Sequence, residues 1–459
     1  MSAPLSHAIV VWWHETDRWV VPNSAILTSR LPTGWVRTRV GDVVKLLTNV
    51  VKVEPNVEYK MAGVKWYGEG VFYRETVRGD ALSARWISPL VPGALIYNRL
   101  FAWKASFAVV PADLADCHVS NEFPQFVTDS ARLLPEYLYL WCIMNQTIRA
   151  VNAASTGSAA VSRNRFREEF FLDFRIHLPS LSVQHKIVAV WEAAHRAAAE
   201  TAAKIEQIER DLEARLLDAI GVRVEAPSVG RRALGVAWSD VERWDLFYHR
   251  PDFLAFERSL NAVSSVPLGE ALRFISRGWR KADFPEGTFR YVEISNVTKE
   301  EGISGYRVVS VDQPPSRATT LICKSELILS MTRPYLGAFA LVPAEYDRCV
   351  CSSGFALCAG AARPDLMLEY ALEFLKSLAG LRQMERRMTG GLYPAITRDQ
   401  LESVLLPIPP LPVQRRIVAH VSEQRAEIAK LKADANDRAE AAKVDVEAMI
   451  LGAKTVRMP

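Results

Sequence analysis

The sequence predicts an α+β chain: two related globules of mixed short strands and helices, separated by two long antiparallel helices that pair as a coiled coil with pseudo-dyad symmetry. Three observations predict it. The phrase LPSLSVQHKIVAV, Leu178 to Val190, returns as IPPLPVQRRIVAH, Ile408 to His420, so that Gln414 answers Gln184 at an offset of 230. The stretch before each copy is rich in Val, Ile, Phe, Tyr and Trp, with Gly, Pro and Asn breaks at the roughly eight-to-twelve-residue spacing of short strands. After each copy the chain runs without Gly or Pro, once to Gly221 and once to Gly452.

The repeat reaches well beyond the phrase. Val40-Gly41-Asp42 answers Leu268-Gly269-Glu270, and GALIYNRL from Gly93 answers ELILSMTR from Glu326. Ala108-Val109-Val110-Pro111 answers Ala340-Leu341-Val342-Pro343, and Ser120 and Phe123 answer Ser352 and Phe355. Thr156-Gly157-Ser158 answers Thr389-Gly390-Gly391, and Val161-Ser162-Arg163 answers Ile396-Thr397-Arg398. Order is kept throughout, so the repeating unit is a whole domain with its helical tail. The first thirty-odd residues, Met1 to Pro32, do not join this alignment.

Within the units, RYVEIS, YRVVSVD, LILSMT and GAFALVP read as short strands. Leu366 to Met388 has apolar residues at helical spacing, and Pro135 to Val151 is its counterpart. The first long helix carries an apolar stripe that includes Ile187, Trp191, Ile205, Ile208, Leu212 and Leu216; the second carries Ile417, Val421, Ile428, Leu431, Val446 and Met449. Helices with sustained stripes bury them on each other or on a partner. Gly221 is placed to stop the first helix.

The chain has 459 residues, more than one compact core holds, and a net charge of +4 with no polybasic run. No stretch is long and apolar enough to span a bilayer, and the start lacks the basic flank of a signal peptide. The six cysteines form no CxxC pair and no zinc-like spacing, so buried free thiols in a reducing cytosol are expected. No phosphate loop, dinucleotide turn, GxSxG elbow, HExxH or amino-methyltransferase tetrapeptide is present. Acidic pairs such as Glu168-Glu169 and Glu300-Glu301 read as solvated charge. The expectation is a binding chain without catalytic, metal or cofactor residues of its own.

Reading duplex DNA takes basic side chains on phosphates and Arg, Asn, Gln, Ser or Thr at base edges. Several loops offer that mixture with aromatics interleaved. In the first unit, Glu58 to Gly79 carries Lys60, Lys65, Trp66, Tyr67 and Arg74, and Ile96 to Lys104 carries Asn98, Arg99 and Lys104. In the second, Ile275 to Phe284 carries Arg277, Arg280 and Lys281. EISNVTK adds Asn296 and Lys299, and MTRPY adds Thr332, Arg333 and Tyr335, with Arg333 set where the first unit has Arg99 or its neighbour. The bland alternative for each residue is strand-edge charge or core aromatic.

Those residues and the duplicated phrase together resemble a known family, the specificity (S) subunit of Type I restriction-modification systems (HsdS-like). LPSLSVQHKIV and IPPLPVQRRIV open the long helices. YKMAGVKWYGEGVF, GALIYNRLFAW and VSNEFPQF carry the resemblance in the first unit; RYVEISNV, LILSMTRPYLGAFALVP and TGGLYPAITRDQL carry it in the second. The match covers nearly the whole chain.

The resemblance implies residues 1–177 as a first target-recognition domain, 178–221 as a central helix, 222–407 as a second recognition domain and 408–459 as a C-terminal helix. Each domain then reads one half of a bipartite DNA site. The helices set the half-site spacing and dock two methyltransferase (M) subunits, which bring S-adenosylmethionine; motor-nuclease (R) subunits can join. The subunit itself is non-catalytic, cytoplasmic and free of membrane. The alternative is a DNA-reading or adaptor subunit of another defence complex with a different effector.

Overall fold

The computed structural model describes residues 31–155, 165–222, 238, 243–245 and 247–456. Most of Met1 to Pro32, and the Thr156-Gly157-Ser158 and Val161-Ser162-Arg163 parallels, lie outside the described residues. The chain divides into two compact units, Met1–Glu200 with Asp434–Pro459, and Thr201–Ala433. Each unit therefore holds the first part of one long helix and the last part of the other.

In the first unit a four-stranded sheet runs in the order Val44–Leu46, Gln125–Thr128, Leu95–Tyr97, Phe107–Val109. A five-stranded sheet runs Val51–Lys52, Trp86–Pro89, His118–Val119, Glu58–Val64, Val71–Arg78. Val36–Arg39 pairs with Arg175–Leu178 as a separate ribbon. The strand Leu95–Tyr97 shows why its sequence lacks alternation. Leu95 and Tyr97 face a core that includes Trp141 and Ile187, whereas Ile96 joins Val64 and Val119 in the core of the five-stranded sheet. A strand buried on both faces is apolar at every position.

The second unit repeats the plan. Its first sheet is Leu272–Ile275, Phe355–Ala361, Leu327–Ser330, Phe339–Leu341; its second is Arg307–Ser310, Thr288–Val292, Val350–Ser352, Ala318–Leu321. Ser265–Pro267 pairs with Leu405–Pro407 as the ribbon. Leu327 and Leu329 face the core beneath the helices, and Ile328 faces the other sheet.

Hydrogen bonds fix the alignment of the repeats more finely than the sequence does. Gly93 N–H donates to Val110 and Ser325 N–H to Val342, at 2.9 and 2.8 Å. Arg99 N–H donates to Glu122 and Met331 N–H to Gly354, at 2.9 and 2.8 Å. The offset here is 232, so Gly93 answers Ser325 rather than Glu326, Arg99 answers Met331, and Phe101 answers Arg333. The one-residue slip arose because the apolar run matches itself in either register. Backbone conformation removes the ambiguity: Gly93 has φ 78° and Ser325 φ 64°, the same left-handed turn.

The helical patches are each broken in two. Pro135–Ile143 is followed by Asn145–Ala154, and Leu368–Lys376 by Leu378–Arg387. Met144 (ψ 144°) and Ser377 (ψ 165°) are the extended residues between them. The long helices are Leu181–Ala219 and Leu411–Ile450. Both end the same way. Gly221 and Gly452 have φ 74° and 73°. Val222 N–H returns to Leu217 and Ala453 N–H to Ala448, at 2.9 and 2.8 Å, closing Schellman turns. In the second unit the two helix segments run antiparallel: Lys204 meets Glu427 at 2.9 Å, while Leu216 and Ile220 share a core with Ile417 and Val421.

The repeated phrase has a structural job in each unit. Gln184 and Gln414 are fully buried. Gln184 accepts the N–H of Leu134 at 2.9 Å and donates to the carbonyls of Arg132 and Pro179. Gln414 accepts from Met367 at 2.9 Å and donates to Asp365 and Pro409. An amide is the one neutral side-chain group that both accepts and donates twice, so Gln ties the start of each long helix to the segment entering the broken helical patch. Tyr137 and Tyr370 complete the joint by donating to the carbonyls of His177 and Pro407, at 2.8 and 2.9 Å.

Candidate nucleic-acid interface

Both units place exposed aromatic side chains and a partly exposed basic one at one topological spot, the turn joining the two strands of the central hairpin, while Trp86, Trp244 and Tyr306 are exposed elsewhere. In the first unit this turn holds a 3-10 helix, Ala102–Lys104; in the second it holds Pro334–Leu336. Ala105 and Gly337 close them with φ 55° and 66°.

Around the first turn, the tip of the hairpin Glu58–Val64/Val71–Arg78 is docked by two backbone bonds and one from a side chain. Tyr67 N–H donates to Lys104 at 2.8 Å, Gly68 N–H donates to Ala105 at 2.9 Å, and Tyr139 hydroxyl donates to Gly68 at 2.7 Å. That brings Lys104 Nζ to 3.6 Å from the Trp66 ring centroid, with Trp103 at 5.1 Å. Trp66 in turn meets Phe101 at 5.2 Å. Trp66 and Tyr67 are exposed, Tyr67 at φ 57°, and Lys65 is exposed beside them. A lysine over a tryptophan face is attracted to the ring quadrupole, which holds its ammonium in place. Phe101 and Trp103 were not singled out by sequence; their roles follow only from the docked hairpin.

Other first-unit candidates are engaged inside the unit. Arg99 forms a two-pronged pair with Glu168, and Asn98 Oδ1 accepts the N–H of Leu100 at 3.0 Å. Lys60 pairs with Asp116 at 2.5 Å, both side chains exposed, which raises the lysine pKa and lowers that of the aspartate. Arg74 pairs with its neighbour Glu75 at 3.1 Å, both exposed. Such exposed pairs are weak and exchange readily with water or an anion.

In the second unit, Arg277 grips the buried carboxylate of Glu326 at 2.8 and 2.7 Å, and the same carboxylate accepts Cys323 N–H at 2.7 Å. The Glu326 charge raises the Arg277 pKa. Lys281 pairs with Asp312 at 2.7 Å in full exposure, and Arg280 is exposed with its N–H capped by Asp283. Asn296 Oδ1 caps Glu293 N–H at 3.0 Å. Lys299 lies along Gly337, where a Cβ would come within 3.1 Å of the lysine stem. Thr332 forms a bridge with Ala395, and Tyr335 and Leu336 are exposed. Arg333 packs on Tyr393, at 4.6 Å from its ring centroid.

Eight of the twelve helix candidates fall in the two cores. Ile187, Trp191, Val446 and Met449 share the first unit's core; Leu212, Leu216, Ile417 and Val421 share the second's. Ile428 is buried, while Ile205, Ile208 and Leu431 are partly exposed. Among the described residues no cluster of three or more His, Cys, Asp or Glu could hold a metal, and no helix is long and apolar enough to cross a membrane. Five cysteines are buried and Cys323 is partly so; burial pushes the Cys351 thiol up to about 12.

No protein-family model matches this chain, and no curated protein matches it. Solved structures do. The HsdS subunit from Thermoanaerobacter tengcongensis is 18% identical over 93% of this chain and 98% of its own, at TM-score 0.41. The Type-I restriction-modification system S subunit from M. genitalium is 13% identical over 93% and 99%, at TM-score 0.44. A chain from a structure describing complex assembly and conformational transition of the type I R-M system is 19% identical over 92% and 97%, at TM-score 0.52. With two mixed units and two long helices, the chain shares its fold with that last structure across nearly the whole length of both.

Proposed function

We propose that this chain is the DNA-specificity subunit of a Type I restriction-modification complex. Residues 1–177 and 222–407 are its two target-recognition domains, each reading one half of a bipartite site. The helices at 178–221 and 408–459 set the half-site spacing and dock two methyltransferase subunits, with motor-nuclease subunits as further partners. The chain is non-catalytic and acts in the cytoplasm; S-adenosylmethionine belongs to the partner.

The observation that carries this reading is the pair of equivalent turns. One fold places Phe101–Lys104 and Arg333–Leu336 at the same point of each unit, yet their side chains differ. A structural role would favour similar residues at equivalent points. Reading two different half-sites requires dissimilar ones. Lys104 and the remaining candidates, Lys60, Lys65, Arg74, Asn98, Arg99, Arg277, Arg280, Lys281, Asn296 and Lys299, are proposed as phosphate contacts or as supports of these turns. The fold shared with a chain of a type I R-M assembly supports the same partners.

The test is a methylome of host DNA with and without the gene. Loss of one two-part N6-methyladenine motif on deletion supports the reading. An unchanged methylome in cells expressing the complex sinks it.

A further inference from the structure

Resting on that reading, we infer that Arg333 is a base-reading residue of the second unit, and that the loop Thr389–Pro394 is part of the same reading surface, with Leu392 and Tyr393 set against the groove wall.

The loop is built onto the turn by backbone bonds. Arg333 N–H donates to Pro394 at 2.7 Å, Ile396 N–H donates to Met331 at 2.9 Å, and Ala395 bridges both Thr332 and Thr389. The projecting residues are apolar: Leu392 is 87% exposed and Tyr393 72%. Such side chains next to one another on an exposed loop are unfavourable in water and mark a contact surface. The Arg333 guanidinium beside them is held rather than free. It lies on the Tyr393 ring, and Nη2 donates to the Leu392 carbonyl at 2.9 Å.

Two further features separate Arg333 from a general cation. Its backbone is left-handed, φ 48° and ψ 52°, a conformation that is unfavourable for a bulky residue and gathers at functional positions. Its Nε is buried without a hydrogen-bond partner among the described residues, so only the Nη end of the guanidinium can meet a ligand. A phosphate contact needs only positive charge near the backbone, which a mobile lysine supplies. A planar fork fixed against a ring presents two donors in one direction, the geometry that meets the O6 and N7 acceptors of guanine. The sequence pointed to Arg333 but not to its support, since Tyr393 lies sixty residues downstream.

The experiment uses the full-length protein in its host, with the methylome as readout. The wild-type chain must first yield a two-part motif; if it yields none, the underlying reading fails, not this one. Given that motif, Arg333→Gln is expected to relax one G:C position in one half-site by about ten-fold or more, with the other half-site unchanged. Tyr393→Ala is expected to relax the same position more weakly. Arg333→Lys separates base reading from charge or folding. If lysine leaves that position relaxed, the inference stands. If Arg333→Lys restores full methylation with an unaltered motif, or if Arg333→Gln leaves the motif unaltered, Arg333 is not a base reader and the inference is overturned.

Discussion

Glu213, on the first long helix, accepts the backbone N–H of Leu378 at 2.9 Å, at the start of the second half of the broken helical patch. Glu447, on the second long helix, does the same for Asn145 at 2.9 Å in the other unit. The two bonds are equivalent, but each carboxylate comes from the helix that the other unit's bond does not use. A carboxylate at a helix N-terminus satisfies an orphan donor and meets the positive end of the helix dipole. Burial raises the Glu213 pKa, and the Leu378 bond partly offsets that rise. Glu213→Ala and Glu447→Ala are each expected to cost about 0.5–1.5 kcal/mol, because each removes the side chain that accepts an otherwise unpaired N–H at a helix start. Hydrogen exchange at Leu378–Arg387 and Asn145–Ala154 checks both; protection unchanged in either variant would show that its carboxylate does not hold that helix start.

Gln184 and Gln414 allow a sharper substitution than alanine. Gln414→Glu keeps size and the acceptor for Met367, but loses both donors to the carbonyls of Asp365 and Pro409. The expected loss is about 2–4 kcal/mol, since two partly buried carbonyls go unpaired and a carboxylate is desolvated at a fully buried position. Gln184→Glu should do the same in the first unit. The measurement is limited proteolysis at the start of each long helix. Unchanged cleavage in both variants would dismiss the clamp.

Lys376 stands where the first unit has Ile143, and it is buried. Burial, then the nearby Arg425, pull its pKa down from 10.5 to about 8, with Glu373 and Glu300 opposing. Glu373 is itself paired with Arg425 at 2.7 Å, so its charge is largely used. Below pH 8 the lysine is charged in both the folded and unfolded chain, and its burial costs roughly 3 kcal/mol. From about pH 8 to 10.5 only the unfolded chain keeps the proton, so the cost fades as pH rises. Lys376→Ile should therefore stabilise the protein most below pH 8 and hardly at all near pH 11. Thermal unfolding of variant and parent across that range reads it; a gain independent of pH would contradict it.

Lys104 is the cation most firmly placed by the first unit's aromatic cluster. On the proposed function, Lys104→Ala should weaken DNA binding by the assembled complex across all sequences and lower the salt slope by about one. Trp66→Ala should give a smaller loss of the same kind, since it releases the ammonium without removing it. Binding titrations at several salt concentrations decide it. An unchanged slope would remove Lys104 from the phosphate contacts.

The duplication, the short-strand texture and both long helices were legible because they are written in local periods and in a repeated phrase. A Gly-free, Pro-free run with an apolar stripe is helical whatever it later packs against, and both helices ended at the expected glycines. Local pattern could not set the hairpin register, because LILS is apolar on both faces and slides by one residue without penalty in sequence. Nor did it show the breaks at Met144 and Ser377: Glu447 caps Asn145 from a distant helix, and at Ser377 the distant Glu213 adds to the local cap that Ser377 Oγ gives Gly380. The same reason divides the candidate residues. Composition marked Arg99, Arg277 and Arg333 alike as basic residues in aromatic loops. Tertiary structure gave Glu168 to the first and Glu326 to the second, and left the third against an exposed tyrosine. A side chain's charge belongs to its sequence, but the partner that uses that charge is brought by the fold.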